Sequence, residues 1–415
     1  MVELALALPM AIYFHRVTVY ALPVNLFILP LLGILVPAAM VLLLFLTVWP
    51  AAATVTAAIP LAILHMSLFW VRKLGAFAHG DLRISDPAPV QVGASIVLFL
   101  LAIRLARGRA FERRFALVTL AVVAGIAIWP RPVDHPRNAL LFEAIDVGQG
   151  DSLLLISPNG QTVLVDGGGV GLGFLPSNTH RTASEFDVGE EVVSNVLWSR
   201  GIRRLDAVAL THAHHDHMGG LTAVLRNFRP RELWVGNNPP VQAYRALLKE
   251  ASDLGVEIRQ FHAGDRFSLG ETGFRVLAPE ANYRPGPQPV NNDSLVLQAR
   301  YRATSILLAG DAEAPEEQSI LARSGAQNGI QSTILKVGHH GSRSSTRPEF
   351  LAAVNPAWAV ISCGRRNRFG HPREEILAEL QAAHTRTFRT DTEGAACFLL
   401  DGKTVTADPM CRQRY

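Results

Sequence analysis

Hydrophobic and polar residues alternate along this chain in two regimes. Residues 17–71 contain no Asp, Glu, Lys or Arg. Such a run exceeds one membrane span, which needs about 20 apolar residues. Trp49-Pro50, near its middle, predicts a turn between two spans. Two shorter apolar segments follow, 90–103 and 115–129. Four such segments predict a membrane unit of transmembrane helices over residues 1–130. A signal peptide is excluded: the run is too long, has no basic start and is followed by further apolar segments. Met1-Val2-Glu3 leads straight into apolar sequence, as the middle of a longer membrane domain would.

Residues 131–138, with two prolines and mixed charge, read as a linker. Over 139–415 the apolar runs become short and are bounded by Gly, Pro and Asn, which are strand signals. Strands are predicted at 140–147, 152–157, 162–165, 233–235, 256–261, 273–277, 294–301, 305–309, 332–337 and 357–362. Helices are predicted at 192–198, 221–228, 316–323 and 374–383. Phe388, 396–400 and 404–407 read as a closing hairpin turning at Asp401-Gly402. Strands interleaved with helices suggest two packed sheets with helices outside, an α/β sandwich.

Charge changes this picture in one respect. Residues 1–130 carry nine basic and four acidic side chains, a net of +5, whereas the whole chain is +4. The basic character therefore belongs to the membrane half and is no nucleic-acid footprint on the soluble half. Five arginines lie between Arg104 and Arg114, joining the last two apolar segments. Short Lys/Arg-rich loops stay in the cytoplasm. The following segment would then carry residues from about Arg131 onward to the periplasm or cell exterior. Three cysteines, Cys363, Cys397 and Cys411, lack metal-type spacing, and their odd number argues against a disulfide framework. A Cys397–Cys411 bridge is open to an extracytoplasmic domain but is disfavoured.

The chemistry concentrates in Thr211-His-Ala-His-His-Asp-His217, directly after an apolar run. His212, His214, Asp216 and His217 offer imidazole and carboxylate, which suit zinc or manganese. Four ligands so close cannot all face one ion from a regular helix, but from a loop at a strand end they can serve two. Paired divalent ions are the usual machinery for phosphodiester hydrolysis. Asp311, at the end of Leu308-Ala309-Gly310-Asp311, is the candidate bridge between them; a helix-capping aspartate is the alternative. In Lys336-Val-Gly-His-His-Gly-Ser342, His340 is the preferred ligand and His339 faces substrate. Asp216, His339 and His371 are the candidate catalytic groups. Asp166, at a strand end, is assigned to orienting ligands by hydrogen bonds. Asp146, Gln149 and Asp151 come from a glycine-rich turn after the first strand, with Asp151 placed near the metals. The histidine between these motifs, His262, reads as a solvated turn, so Asn291 or Asn292 is expected nearer the site. Arg343 and Arg366, among other arginines, suit a polyanion, because guanidinium forks match phosphate oxygens.

These motifs, with Gly370-His-Pro372 and Phe388-Arg-Thr-Asp391, occur in an order that resembles the C-terminal metallo-β-lactamase domain of ComEC-type competence proteins. The membrane half, notably Leu8-Pro9, Asn25 and Pro30, is similar to the end of their competence domain. The resemblance implies a metallo-β-lactamase-fold αββα sandwich on a multi-pass bacterial inner-membrane segment. It implies transport of single-stranded DNA during transformation, with membrane lipid and other parts of the uptake machinery as partners. The soluble domain would be a nuclease acting outside the cell membrane on DNA. Measured against the family, an N-terminal extracellular domain and several earlier spans are absent from this sequence. Many relatives carry Asp where His214 stands.

On this reading His212, His214 and Asp311 hold one ion, and Asp216, His217, His340 and the shared Asp311 hold the other. Two alternatives remain open at this point. One is a non-catalytic component that guides DNA and has a degenerate metal site. The other is a small-substrate hydrolase, which the membrane half and the arginine loops disfavour.

Overall fold

The computed structural model describes residues 2–18, 20–75, 81–169, 186–324 and 329–408. The chain divides into two compact units, Met1–Arg131 and Pro132–Tyr415.

The first unit is helical. Its long helices are Ala21–Val48, Ala58–Gly75, Pro89–Ala106 and Ala110–Ile128, with shorter ones at Val2–Phe14 and Pro50–Thr56. The break predicted at Trp49-Pro50 is present: Trp49 is extended, and Pro50 starts the next helix, where its missing N–H costs nothing. Among the described residues, three stretches are long and apolar enough to cross a membrane: Pro23–Val48, Pro50–Gly75 and Pro89–Ala106. Their side chains include exposed Leu26, Leu43 and Val97, as hydrocarbon contact requires. The fourth apolar segment forms a helix, but its first turns carry Glu112, Arg113 and Arg114, so it does not qualify over its full length. It runs antiparallel to its predecessor, and Gln91 Nε2 donates to the carbonyls of Ile126 and Trp129 at 3.0 Å each. The charge-free run does not begin as a span. Arg16–Thr18 instead pairs antiparallel with Asp81–Arg83.

The second unit contains two sheets. The eight-stranded sheet runs Val405–Ala407, Ala396–Leu400, Leu140–Ala144, Leu153–Ile156, Thr162–Val165, Ala207–Leu210, Glu232–Val235, Glu257–Gln260. Its last four strands are mutually parallel. The seven-stranded sheet runs Arg386–Arg389, Trp358–Ile361, Ile334–Lys336, Thr304–Leu308, Val296–Tyr301, Thr272–Ala278, Arg266–Leu269. Its first four strands are parallel.

Period-two alternation creates the layers. Leu140, Phe142, Leu153, Leu155, Val163 and Phe398 face Phe274, Leu297 and Ile306 in the core between the sheets. Their neighbours Leu141, Leu154, Leu164 and Val208 turn outward onto Trp198, Leu221, Leu225 and Phe228 of the covering helices. On the other side Leu307, Leu335 and Ala359 meet Ile320, Phe350 and Leu380. The result is helices, sheet, sheet, helices: the αββα sandwich expected. Phe388 is a departure. It belongs to Arg386–Arg389, parallel to Trp358–Ile361 in the seven-stranded sheet, and not to the closing hairpin. Cys363 is buried and free, whereas Cys397 is disulfide-bonded. Cys411, its candidate partner from the sequence, lies outside the described residues.

One buried ion pair ties the layers together. Glu143 projects from strand Leu140–Ala144 onto Arg200, and both side chains are nearly inaccessible. Arg200 also reaches Cys397 Sγ at 3.2 Å. Removing one partner of such a pair leaves a buried charge unanswered, at about 3–5 kcal/mol. Glu143→Ala in the full chain should lower the unfolding free energy by about that much. Chemical denaturation followed by tryptophan fluorescence measures it; an unshifted midpoint would remove the pair from any structural role.

Candidate metal centre

The carboxyl ends of the parallel strands in both sheets open on one edge, and every loop singled out by the sequence leaves a strand there. Asp166 follows Thr162–Val165, the histidine loop follows Ala207–Leu210, and Asp311 follows Thr304–Leu308. His339 and His340 follow Ile334–Lys336, while Asp151 precedes Leu153–Ile156 from the facing turn.

Among the described residues, four clusters of potential ligands result: His212, His217 and Asp311; Asp216, His217 and His340; Asp151, Asp311 and His340; Asp151, Asp166 and His217. Within each, ligand atoms lie within 4.8 Å of one another. Asp311 Oδ2 stands 3.3 Å from His217 Nε2 and 3.4 Å from His340 Nε2. His340 Nε2 is 3.5 Å from Asp216 Oδ2. These separations are long for hydrogen bonds, which for N–H···O close to about 2.7–3.2 Å. Two ligands about 2.05 Å from one tetrahedral ion would stand about 3.3 Å apart. His217 Nε2, His340 Nε2 and Asp311 Oδ1 are buried without a hydrogen-bond partner. Buried polar atoms left so are costly unless something else satisfies them. The residues present therefore fit a divalent ion.

The outer nitrogens are all engaged. His217 Nδ1 lies 2.8 Å from Asp166 Oδ2, which also accepts the Thr211 hydroxyl at 2.7 Å; Asp166 Oδ1 accepts the Thr211 amide at 2.8 Å. His340 Nδ1 donates to the Ser362 carbonyl at 2.8 Å. A carbonyl only accepts, so Nδ1 of His340 carries a proton, and Nε2 is the ring atom turned to the cluster. Burial opposes the charged form of both imidazoles, but Asp311 outweighs it, helped by Asp166 for His217 and by Asp151 and Asp216 for His340. Both stand well above the usual histidine range. Burial likewise opposes ionisation of Asp311, and His340 and His217 hold it well below the carboxylate range. Protons on these imidazoles balance the carboxylates, and a bound cation would displace them.

The first-ion ligands are arranged differently. His212 is fully buried, and its Nε2 is 2.8 Å from His214 Nδ1, while His214 Nε2 faces the Pro289 carbonyl at 3.1 Å. The 2.8 Å contact is a hydrogen-bond distance, so these rings would part by about half an ångström to flank an ion. His262 is not in the clusters; its ring faces Asn237 at 3.2 Å.

Glycines allow the close packing beneath the centre. Gly150 (φ +123°) lies so near Asp216 that a Cβ would fall 2.1 Å from its carbonyl oxygen. A Cβ on Gly169 would stand 1.9 Å from the His215 carbonyl oxygen. His339 and His340 both have positive φ, 44° and 53°. These left-handed conformations cost of order 1–3 kcal/mol each for non-glycine residues, and the surroundings must enforce them. Ser345 Oγ donating to the Gly338 carbonyl and Thr346 Oγ1 accepting from the Gly338 amide do so in part. Glu317 holds that loop from behind, accepting the amides of Thr346 and Arg347, and burial pushes its carboxyl up to about 7.

The remaining predicted residues sit at the rim or behind it. His339 faces Glu313 Oε1 at 3.1 Å and Asn291 Nδ2 at 3.3 Å, with the His371 ring 5.4 Å away. Burial and neighbouring imidazoles push His371 down to about 4, so it is neutral at pH 7. Asn292 accepts the Glu313 amide, and Glu313, not Asp311, is the N-cap of helix Ala314–Arg323. Gln149 accepts the Gly364 amide at 3.2 Å. Asp146 accepts from Gly148 and is not in the clusters. Arg343 and Arg366 are exposed.

No motif assigned a role to Lys336. It is fully buried, and its Nζ lies 2.6 Å from Asp151 Oδ2, while Asp151 Oδ1 is 3.5 Å from His340 Nδ1. A lysine inside the apolar run 332–337 was the available signal, since lysine is almost never buried unpaired. Ser362, Thr211, Pro289 and Glu313 are further contributors that no motif marked.

Residues 145–365 match the family model described as the metallo-beta-lactamase superfamily, and residues 1–109 match that described as competence protein. The chain belongs to the metallo-beta-lactamase superfamily, in its ComEC-type competence branch. ComE operon protein 3 of Bacillus subtilis is 31% identical over 403 residues, covering 94% of this chain and 49% of that protein. Competence protein ComA of Neisseria gonorrhoeae is 29% identical over 340 residues, covering 79% and 43%. A shorter stretch of 128 residues, 28% of this chain, is 31% identical to 19% of Ribonuclease J of Sinorhizobium meliloti. The chain thus spans about half the length, or less, of the curated competence relatives it matches. Its first unit, which the competence model covers over most of its length, is a membrane segment with three helices long and apolar enough to cross.

Asp166→Asn keeps the size of the side chain but removes the charge behind His217. Divalent-metal affinity should fall about 10–100-fold, as read by titration with a competing chelator. Unchanged affinity would show that Asp166 does not orient a ligand.

Proposed function

We propose that the soluble unit is a metal-dependent phosphodiesterase acting on DNA, attached to part of a single-stranded DNA channel used in natural transformation. The observation that carries this reading is the set of inward atoms, His217 Nε2, His340 Nε2 and Asp311 Oδ1, buried and unpartnered at co-ligand spacing. His212, His214 and Asp311 would hold one ion, and Asp216, His217, His340 and Asp311 a second, with zinc or manganese suited to the donors. Bound ions at such a centre supply Lewis acidity toward phosphoryl oxygens and a nucleophile at neutral pH.

The protein's own part is positioning. Asp166, Ser362 and the Asp151–Lys336 pair hold the imidazoles, so the centre needs little rearrangement when an ion arrives. His339 and His371 stand together at the rim, where neutral His371 is placed to contact a phosphate or leaving group. Arg343, Arg365, Arg366 and Arg368 are exposed on neighbouring loops and suit a polyanion. The names of the competence relatives and of the ribonuclease support a nucleic-acid substrate. The arginine-rich stretch 104–114 supports a domain outside the cytoplasm, and the bonded state of Cys397 agrees with an oxidising compartment.

A DNA-guiding role without catalysis is favoured by one observation, the closed His212–His214 contact. Purified full chain in detergent should cleave DNA with Mn²⁺ or Zn²⁺, and His217→Ala or Asp216→Ala should abolish cleavage. Full activity in both variants would refute the centre, and metal-loaded wild type without cleavage would favour the guiding role.

A further inference from the structure

The other end of the seven-stranded sheet carries a second concentration of charge. Arg266 and Arg275 are directly opposed in register across strands Arg266–Leu269 and Thr272–Ala278. Arg275 opposes Gln298, and Arg300 opposes Gly273, on the next strand. Alternation puts Arg266, Arg275, Gln298 and Arg300 on one face, while Phe267, Phe274 and Ala299 point away from it. Like charges directly opposed on a sheet are destabilising, so this face is assembled against electrostatic preference. Arg323 joins from the last turn of helix Ala314–Arg323. It is held by Glu280 at 3.1 Å, Glu316 at 3.3 Å and the Leu277 carbonyl at 2.7 Å. Burial, together with the charges of Arg266, Arg300 and Arg323, lowers the basicity of Arg275.

This face is grooved. One cavity of about 550 Å³ is lined by Arg266, Arg275, Glu280, Asn282 and Arg323. A second of about 420 Å³ is lined by Arg266, Gly273, Arg275, Gln298 and Arg300. Arg266 and Arg275 are common to both, so the cavities adjoin. The floor at Gly273 is open: the nearest atom to a Cβ there would be the Arg300 carbonyl oxygen, 4.0 Å off. Neighbouring strands are about 4.8 Å apart, so the guanidinium bases step across three strands in a row.

We propose that this arginine groove is a second, metal-independent binding site for the phosphate backbone of a nucleic-acid strand. The inference rests on reading the domain's substrate as nucleic acid. Two adjoining recessed grooves suit a strand, whose phosphates can follow a concave path, better than a planar bilayer of anionic headgroups. Guanidinium forks in series meet successive phosphates without reading sequence. The groove is joined to the metal centre by one segment. After strand Thr272–Ala278, Glu280 and Asn282 line the groove, and Tyr283 donates to Asp293 at 2.6 Å. Pro289 then presents its carbonyl to His214. A strand lying in the groove is thus held next to the segment that leads to the centre.

The test uses full chain in detergent, stripped of metal with chelator, and a fluorescent 30-nucleotide single strand followed by anisotropy. Arg266→Glu/Arg300→Glu alters two exposed side chains, and an unchanged thermal midpoint establishes its fold. Binding by the double variant should be at least about tenfold weaker, with the log–log salt slope shallower by about 2. Arg266→Lys/Arg300→Lys should retain most of the affinity. Equal binding by the wild type and the glutamate variant would overturn the proposal. So would a glutamate variant that keeps DNA binding while losing competition by short-chain phosphatidylglycerol, since the groove would then serve lipid. Wild type that binds through these arginines yet never cleaves DNA would sink the nuclease reading and leave this site standing.

Discussion

Everything at the candidate metal centre depends on charge neutrality around Asp311. Its carboxylate is almost fully buried, and so are His212, His217, His340, Asp151 and Asp166. Isolated ions in such surroundings would neutralise or force the structure apart. They persist because each acid is answered: Asp311 by His217 and His340, Asp151 by Lys336, Asp166 by His217 and the Thr211 donors. A cation fits here because it would do for the carboxylates what protons on the imidazoles do now, and would use donor atoms that otherwise point at nothing.

That constraint explains the backbone around it. Five loops from two sheets must bring short side chains to one point, so main chains approach more closely than side chains usually permit. Gly150 against Asp216 and Gly169 against His215 are the places where the approach leaves no room for a Cβ. The parallel strand ends aim these loops at a common edge, and the helices bury the outward faces. The core between the sheets is mostly aliphatic and Phe side chains; its buried Trp234 donates its N–H to Glu232 at 2.6 Å, and Trp358 packs against that core.

Legibility in the sequence followed the range of the interactions concerned. Thr162–Val165 and Leu221–Phe228 were readable to the residue because local apolar patterning and flanking glycine and proline decide them. Helix Gln242–Asp253 was passed over, although Tyr244, Leu247 and Ala251 recur on one face, because its polar residues outnumber that stripe. Arg266–Leu269 is an edge strand with a half-exposed pattern and little apolar signal. Phe388 was given to the wrong sheet because strand pairing is non-local, and nothing near residue 388 names its partner. At the site, the histidine loop, Asp311 and His340 carry short motifs, and the structure brings them together. Asp151's tie to Lys336 across 185 positions of sequence has no local mark except a lysine where a leucine would be expected.

The paired left-handed residues at His339 and His340 act as a fork. In a strand, adjacent side chains would point to opposite faces; in a helix they would diverge by about 100° around one axis. The mirror-handed turn does neither. It sends one imidazole inward to the buried acids and its immediate neighbour outward to the mouth of the cleft. Two consecutive identical letters thereby acquire separate vocations, and exchanging the order of duties would require reversing the chirality of the bend rather than altering any side chain.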